Sequence, residues 1–248
     1  MKSPLIPINV ISIYKNSLGD LLPLPTRMAK CTPDTHTAII NTAMGLAKKG
    51  GRLILSDLFR SYDMQAQSHQ DYISKKKKAF SPPPGGSFHE AGRAFDLDLS
   101  AIKISLADFW AIAAKSGIFP IIKQPKAGVS ESWHFDCRGS HQIVYQYYED
   151  GKGTNFKPYT AAAASGILSL GVHVDAFEGN QVQAAIQSCI IRLGKVIGNI
   201  DGQIGRKTQK ALEELEIPLD MANPANMLMQ AENMVQKKFQ AEFTMPSV

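Results

Sequence analysis

The hydrophobic pattern changes period several times along the chain, and each change marks an element. In Ala94-Phe95-Asp96-Leu97-Asp98-Leu99, apolar and acidic positions alternate. That period of two predicts a strand with Asp96 and Asp98 on one face and Phe95, Leu97 and Leu99 on the other. Glu131 to Cys137 reads as a second strand, with Trp133, Phe135 and Cys137 alternating against Ser132, His134 and Asp136. Arg52 to Asp57 reads as a third, and Asn9 to Tyr14 and Leu21 to Leu24 as short strands around Asn16-Ser17-Leu18-Gly19-Asp20. Helical spacing appears between them. Asp34 or Thr35 can cap a helix running to Lys49, with Ala38, Ile39, Ala43, Leu46 and Ala47 near helical spacing and Gly50-Gly51 as its stop. Further helices are predicted from about Tyr62 to Lys77, from a capping-box variant at Ser105–Asp108 to near Gly117, and from His141 to Glu149.

Past Glu149 the composition shifts. Gly151-Lys152-Gly153-Thr154 and Ala161-Ala162-Ala163-Ala164-Ser165-Gly166 predict a linker over residues 151–169. Helical periodicity resumes at Val182, Ala185, Ile186, Cys189, Ile190 and Leu193. A glycine-punctuated turn over 198–205 and a short helix from Thr208 to Leu215 follow. Asn223-Pro224 then opens a last helix, whose Met227, Leu228, Ala231, Met234, Val235 and Phe239 trace one face. That methionine-bearing stripe reads as packing.

The chain has 248 residues, 44% of them apolar, which suits one large domain or two smaller ones. No apolar run reaches 18 residues, so no membrane span and no membrane insertion are expected. A formal charge of +5 suits an anionic partner such as a cell wall, a membrane surface or nucleic acid. No aromatic and basic pattern of an RNA-binding module supports the last of these. The Lys75-Lys76-Lys77-Lys78 run reads as a solvated helix end. Cys31, Cys137 and Cys189 are widely spaced and odd in number, so free thiols are expected. The proline-interrupted start, Met1-Lys2-Ser3-Pro4-Leu5-Ile6-Pro7, does not have the pattern of a secretory signal.

Two short stretches carry the chemistry. Ser87 to Asp96 reads S-x-H-x-x-G-x-A-x-D, and Glu131 to His134 reads E-x-W-H. They supply two imidazoles, a carboxylate and a spare glutamate, enough for an open zinc site with its own base. The helical H-E-x-x-H arrangement is excluded, because the position of its second histidine is Arg93. Gly92 would let a loop turn sharply into the strand. Glu90 reads as a surface charge, and Asp98 as a solvated or supporting carboxylate. Asp136 reads equally as a partner for a ligand histidine or as an exposed strand carboxylate, and His141 as a reserve ligand. Glu131 lies three residues before His134, so on a regular strand the two would face opposite ways, and a base role needs a bend there.

Over roughly residues 34–148 these motifs resemble the M15 peptidases. That family comprises zinc D-alanyl-D-alanine carboxypeptidases and L-alanyl-D-glutamate endopeptidases, within a group shared with lysostaphin and Hedgehog signalling domains. The resemblance implies that His89, Asp96 and His134 bind Zn2+ and that Glu131 is the general base. It also gives a role to Arg60 and Gln65 in Phe59–Gln65, although Asp57-Leu58 stands where many members carry Ser-Gly. Arg60 would stabilise an oxyanion or grip a carboxylate. Gln65 would orient substrate or cap its helix, and Ser87 would bond substrate or hold the ligand strand. A second resemblance, to peptidoglycan-binding domain 1, a three-helix module, runs through Gln187, Leu193-Gly194, Asp201-Gly202, Ile204-Gly205, Thr208 and Ala211-Leu212.

The expected architecture is α+β: a small antiparallel sheet with flanking helices holding a zinc site, followed by a small all-α module. Its divisions are a 1–33 extension, a 34–150 peptidase domain, a 151–169 linker and a 170–248 helical region. The expected function is hydrolysis of peptidoglycan stem peptides, as an endolysin or secreted effector released by a holin or a secretion system. The alternatives are a D,D-carboxypeptidase and a non-catalytic zinc-stabilised binding or signalling domain.

Overall fold

A computed structural model describes residues 2–246. The chain begins with β1 (Ile6–Pro7), β2 (Ile11–Lys15), β3 (Leu21–Pro23) and β4 (Lys30–Cys31). Helix α1 (Pro33–Ala47), β5 (Leu55–Asp57), α2 (Tyr62–Ile73) and β6 (Ala94–Leu97) follow. Next come α3 (Leu106–Ala114), β7 (Ile118–Pro120), β8 (His134–Cys137) and α4 (Gln142–Glu149). The rest is helical: α5 (Pro158–Leu170), α6 (Gln181–Arg192), α7 (Arg206–Glu214) and α8 (Pro224–Lys238). The fold is therefore α+β, as expected. No helix among the described residues is long and apolar enough to cross a membrane.

Strands β1 and β4 form an antiparallel pair, and six strands form the main sheet in the order β3-β2-β5-β6-β8-β7. Its neighbours run antiparallel except β2 and β5, which are parallel with Ser12 opposite Leu55. The first 33 residues are thus no mere extension: β2 and β3 complete one side of the sheet. On the far face of β6 and β8, Phe95 stacks on Phe135 with centroids 6.0 Å apart, and Phe109 of α3 meets Phe135 edge-on at 5.0 Å. These rings join Ile39 and Leu46 of α1 in one buried cluster. Burying each such side chain contributes about 1.5–3 kcal/mol.

A second cluster gathers α4 to α8 and reaches Phe88, Ala91 and Ala94 beside the β6 strand. Here the expected linker is corrected. Residues 158–170 are helix, and Ala161 to Leu168 are all buried. Alanine is the best helix former, and its small side chain lets backbones approach closely. A Cβ at Gly166 would lie 2.9 Å from the Ala91 Cβ, so α5 sits directly on the loop before β6.

Other boundaries moved for local reasons. Helix α2 stops at Ile73, and Lys75 takes φ +62°, so the lysine run lies past the helix. Strand β8 starts only at His134, because Glu131 takes φ +66° and the His134 N–H closes a turn onto the Glu131 carbonyl at 3.1 Å. Ser105 caps α3 as predicted, accepting from the Asp108 N–H at 3.1 Å and donating to its carboxylate at 2.6 Å. The three cysteines are free and buried.

Candidate metal centre

Strand pairing builds the centre. Asp96 on β6 lies opposite His134 on β8, and Ala94 lies opposite Asp136. The near face of the pair therefore carries Asp96, His134 and Asp136 together. The third group comes from the loop before β6. Residues 87–92 fold into a tight turn in which the Glu90, Ala91 and Gly92 N–H groups donate to the Ser87, Phe88 and His89 carbonyls, each at 3.1 Å. Gly92 ends it at φ +62°, where a Cβ would lie 2.5 Å from Leu5 Cδ2 and 3.1 Å from Cys31 Cα. Only glycine meets both demands without strain.

This turn aims the His89 ring at Asp96. His89 Nδ1 donates to the Leu58 carbonyl at 2.6 Å, which leaves Nε2 as the bare nitrogen. That Nε2 is 3.4 Å from Asp96 Oδ1, buried, and without a hydrogen-bond partner. His134 Nδ1 is 2.9 Å from the same oxygen, while its Nε2 donates to Asp136 Oδ1 at 2.9 Å. One ligand atom from each of His89, Asp96 and His134 lies within 4.8 Å of the others, so the group could hold a metal ion. Zinc ligand distances near 2.0–2.2 Å put neighbouring donors roughly 3.4 Å apart, close to what is found here. An orphaned imidazole nitrogen facing a carboxylate and a second imidazole fits a divalent cation. Asp136 backing His134 is the carboxylate–histidine pairing that orients ligands in metal sites.

The charges are finely set. Burial alone would lower the His134 pKa, but hydrogen bonds to Asp136 and Asp96 override it and push it up to about 10 in the metal-free centre. Burial works against ionised Asp96, yet the two imidazoles hold its pKa well below the carboxylate range. Burial pushes the Glu131 carboxyl up from its ordinary value.

A cleft of about 930 Å³ opens over the centre. Arg60, Ser87, His89, Asp96, Glu131 and His134 all line it, so six of the seven residues singled out in the sequence come together. The turn at Glu131 is the bend that its candidate role requires. Arg60 is 8% exposed and well occupied. Its Nε donates to Asp57 Oδ2 at 2.6 Å, its Nη2 lies 2.6 Å from Asp57 and 3.4 Å from Asp96 Oδ2, and its Nη1 donates to Gln65 at 3.2 Å. Gln65, the seventh residue, is fully buried. It donates to Ser81 Oγ at 3.1 Å and to the Pro82 carbonyl at 2.7 Å, tying Arg60 to the proline loop. Ser87 Oγ accepts the His89 N–H at 3.3 Å.

Several expectations are corrected. Glu90 is not a surface charge. It is 3% exposed and accepts N–H bonds from Gly85 at 3.0 Å and Ser87 at 3.2 Å, while burial raises its pKa to about 7. His141 is no reserve ligand; it is buried against Ser165 at 2.8 Å, beside Glu242. Of its two readings, Asp136 takes the one beside a histidine, fully buried behind His134, and Asp98 supports the short turn after β6 by capping it. Among the residues of the second resemblance, Gln187 does meet Asp201 and Gly202, whose N–H groups donate to its side-chain oxygen at 2.9 and 2.8 Å.

Sequence reasoning missed the part of the cleft wall that α4, α5 and the segment between them supply. Tyr145, Asn155, Phe156, Lys157, Tyr159 and Thr160 line it. The Tyr159 hydroxyl lies 3.5 Å from His134 Nε2, and burial holds its pKa well above the usual value. Arg138, stacked 4.1 Å over the Tyr145 ring, reaches Asp136 at 3.3 Å. The only signal for this wall was an aromatic and basic cluster inside a segment of linker-like composition.

No family profile matches the chain, and no curated protein does. Among solved structures it is similar to the LdcB LD-carboxypeptidase, whose structure reveals the basis of its peptidoglycan recognition. That match has 19% identity and a TM-score of 0.41, covering 53% of this chain and 66% of that one. It is also similar to the L,D-carboxypeptidase DacB of Streptococcus pneumoniae. One DacB structure matches at 24% identity and TM-score 0.34, over 43% of this chain and 65% of that one. Another, from strain D39, matches at 22% identity and TM-score 0.36, over 56% and 80%. The chain thus spans about two thirds of the length of the first two structures.

Proposed function

We propose that the chain is a zinc peptidase hydrolysing peptide bonds in the stem peptides of peptidoglycan. The observation that carries this reading is the bare, buried Nε2 of His89 facing Asp96 and His134, with Glu131 turned into the same cleft. Zn2+ held by His89, Asp96 and His134 would polarise the scissile carbonyl and acidify water toward a pKa of about 7. The chain's own residues do the rest. Glu131, its carboxyl raised by burial, takes the proton of the attacking water and passes it to the leaving amine. Arg60 holds the second oxygen of Asp96 and adds positive charge where negative charge develops. Ser87 braces the His89 turn at the cleft wall, and Gln65 holds Arg60 from behind, so both act by positioning. Lys77, Arg138 and Lys157 also line the cleft and suit the carboxylates of a stem peptide. The helices beyond residue 170 would keep the enzyme on its insoluble polymer. Release by a holin or a secretion machine would bring it there.

The test is digestion of purified peptidoglycan by wild type and Glu131→Gln, with zinc content measured on both and products read by mass spectrometry. Peptide fragments from the wild type alone, with zinc in both proteins, support the reading, and the masses separate an endopeptidase from a carboxypeptidase that trims terminal D-Ala. Two zinc-loaded proteins that cut no wall would leave a binding or signalling domain.

A further inference from the structure

The first turn of α5 brings into the metal centre a residue that no local motif singles out. The Tyr159 ring stands edge-on to Phe88, 5.4 Å away at 85°, and the side chain lines the cleft beside His89, Asp96, Glu131 and His134. Its hydroxyl lies 3.5 Å from His134 Nε2. That nitrogen donates its proton to Asp136 at 2.9 Å and has no lone pair to offer. The Tyr159 oxygen can therefore only accept there, weakly at such a distance. Its own proton is left for whatever occupies the cleft.

Arg60, the donor beside Asp96, is largely spent. Arg60 directs Nε and Nη2 at Asp57, Nη2 also at Asp96, and Nη1 at Gln65. Its charge reaches the cleft, but its hydrogen bonds serve the protein. Attack on a peptide carbonyl nevertheless builds a negative oxygen that needs a preorganised donor. Tyr159 lines the cleft beside the ligand side chains with its proton uncommitted.

Resting on the peptidase reading above, we propose that Tyr159 is a catalytic residue that donates a hydrogen bond to the substrate carbonyl oxygen as that oxygen gains charge. The helical half of the chain then supplies part of the chemistry. Such a bond strengthens only as charge develops, so its loss falls on kcat rather than on KM.

Tyr159→Phe keeps the ring and its contact with Phe88 and removes only the hydroxyl. Steady-state kinetics on soluble muropeptides, zinc affinity by chelator competition, and thermal unfolding are measured on both proteins. The expected result is a kcat lower by about 100-fold, the scale for loss of one such donor, with KM changed less than about threefold. Zinc affinity and melting temperature stay at wild-type values. A variant with wild-type kcat overturns the proposal. So does one whose loss of kcat is matched by a loss of zinc affinity, since the hydroxyl would then act only through His134. A zinc-loaded wild type that cuts no muropeptide overturns the peptidase reading, and this proposal with it.

Discussion

Replacing Glu242 with alanine tests how the sheet and the helical half are held together. Glu242 sits in the short turn after α8 and is 2% exposed. It accepts hydrogen bonds from Ser3, from Ser140 Oγ at 2.7 Å and from Arg192 Nη2 at 2.6 Å, and it lies 3.4 Å from Arg93 Nη2. Burial works against its charge, yet Arg93 and Arg192 hold its pKa well below the carboxylate range. Arg93, itself fully buried, keeps Asp34 at 2.8 Å when Glu242 is gone. Among the described residues Arg192 keeps Ser140 and the Phe239 ring, 5.9 Å away, and so becomes a buried cation with no ion-paired carboxylate. Removing one member of a buried pair costs about 3–5 kcal/mol, and the surviving Asp34 contact places this case near the lower end. At about 2–4 °C per kcal/mol for a chain of this size, the melting temperature of Glu242→Ala should fall by roughly 6–12 °C. Scanning calorimetry of the metal-free proteins measures it, with Met245→Ala, at an exposed position, as the control expected to change nothing. A fall of less than about 2 °C would refute the claim that this buried ion cluster clasps the two halves.

Two further outcomes follow from the buried groups. Burial, helped by Arg192, pushes the His141 pKa down to about 3 against about 6.5 in an unfolded chain. The unfolded state then binds the extra proton, so this contribution is full above pH 6.5 and drains away as pH falls toward 3, at up to about 1.4 kcal/mol per pH unit. Glu90, raised to about 7, works in the opposite direction between about pH 4.5 and 7, so the readout is the difference between wild type and His141→Gln. That difference in melting temperature should shrink steadily from pH 7 to 4.5; a constant difference would count against a neutral buried His141. Asp136→Asn keeps an acceptor behind His134 but removes the charge, and zinc affinity by chelator competition should weaken by about 10–100-fold. Unchanged affinity would show that Asp136 plays no part in orienting the ligand.

What could be read from the sequence was what a few adjacent residues decide by themselves. The alternation through Ala94–Leu97 is a property of one strand, and it put Asp96 on the face where His134 arrives. His89 is brought to Asp96 because a six-residue turn needs little beyond its own amides and Gly92. Glu131 was harder: its orientation depends on a positive φ at a non-glycine residue, which the surrounding turn imposes and the residue type does not announce. Glu90 looked solvated because its partners are backbone amides, those of Gly85 and Ser87, which fold back onto it and which residue type does not announce. The linker was misread for a related reason. Four alanines with serine and glycine have the composition of a spacer, and only the surface they meet makes them a core helix. That surface is the loop before β6 that carries His89, where Ala91 faces Gly166 and Phe88 faces Tyr159. A bulkier side chain at Gly166 would push α5 away, and with it the wall that carries Tyr159. Small residues in this segment therefore mark closeness to the site rather than distance from it, and composition alone cannot tell the two apart.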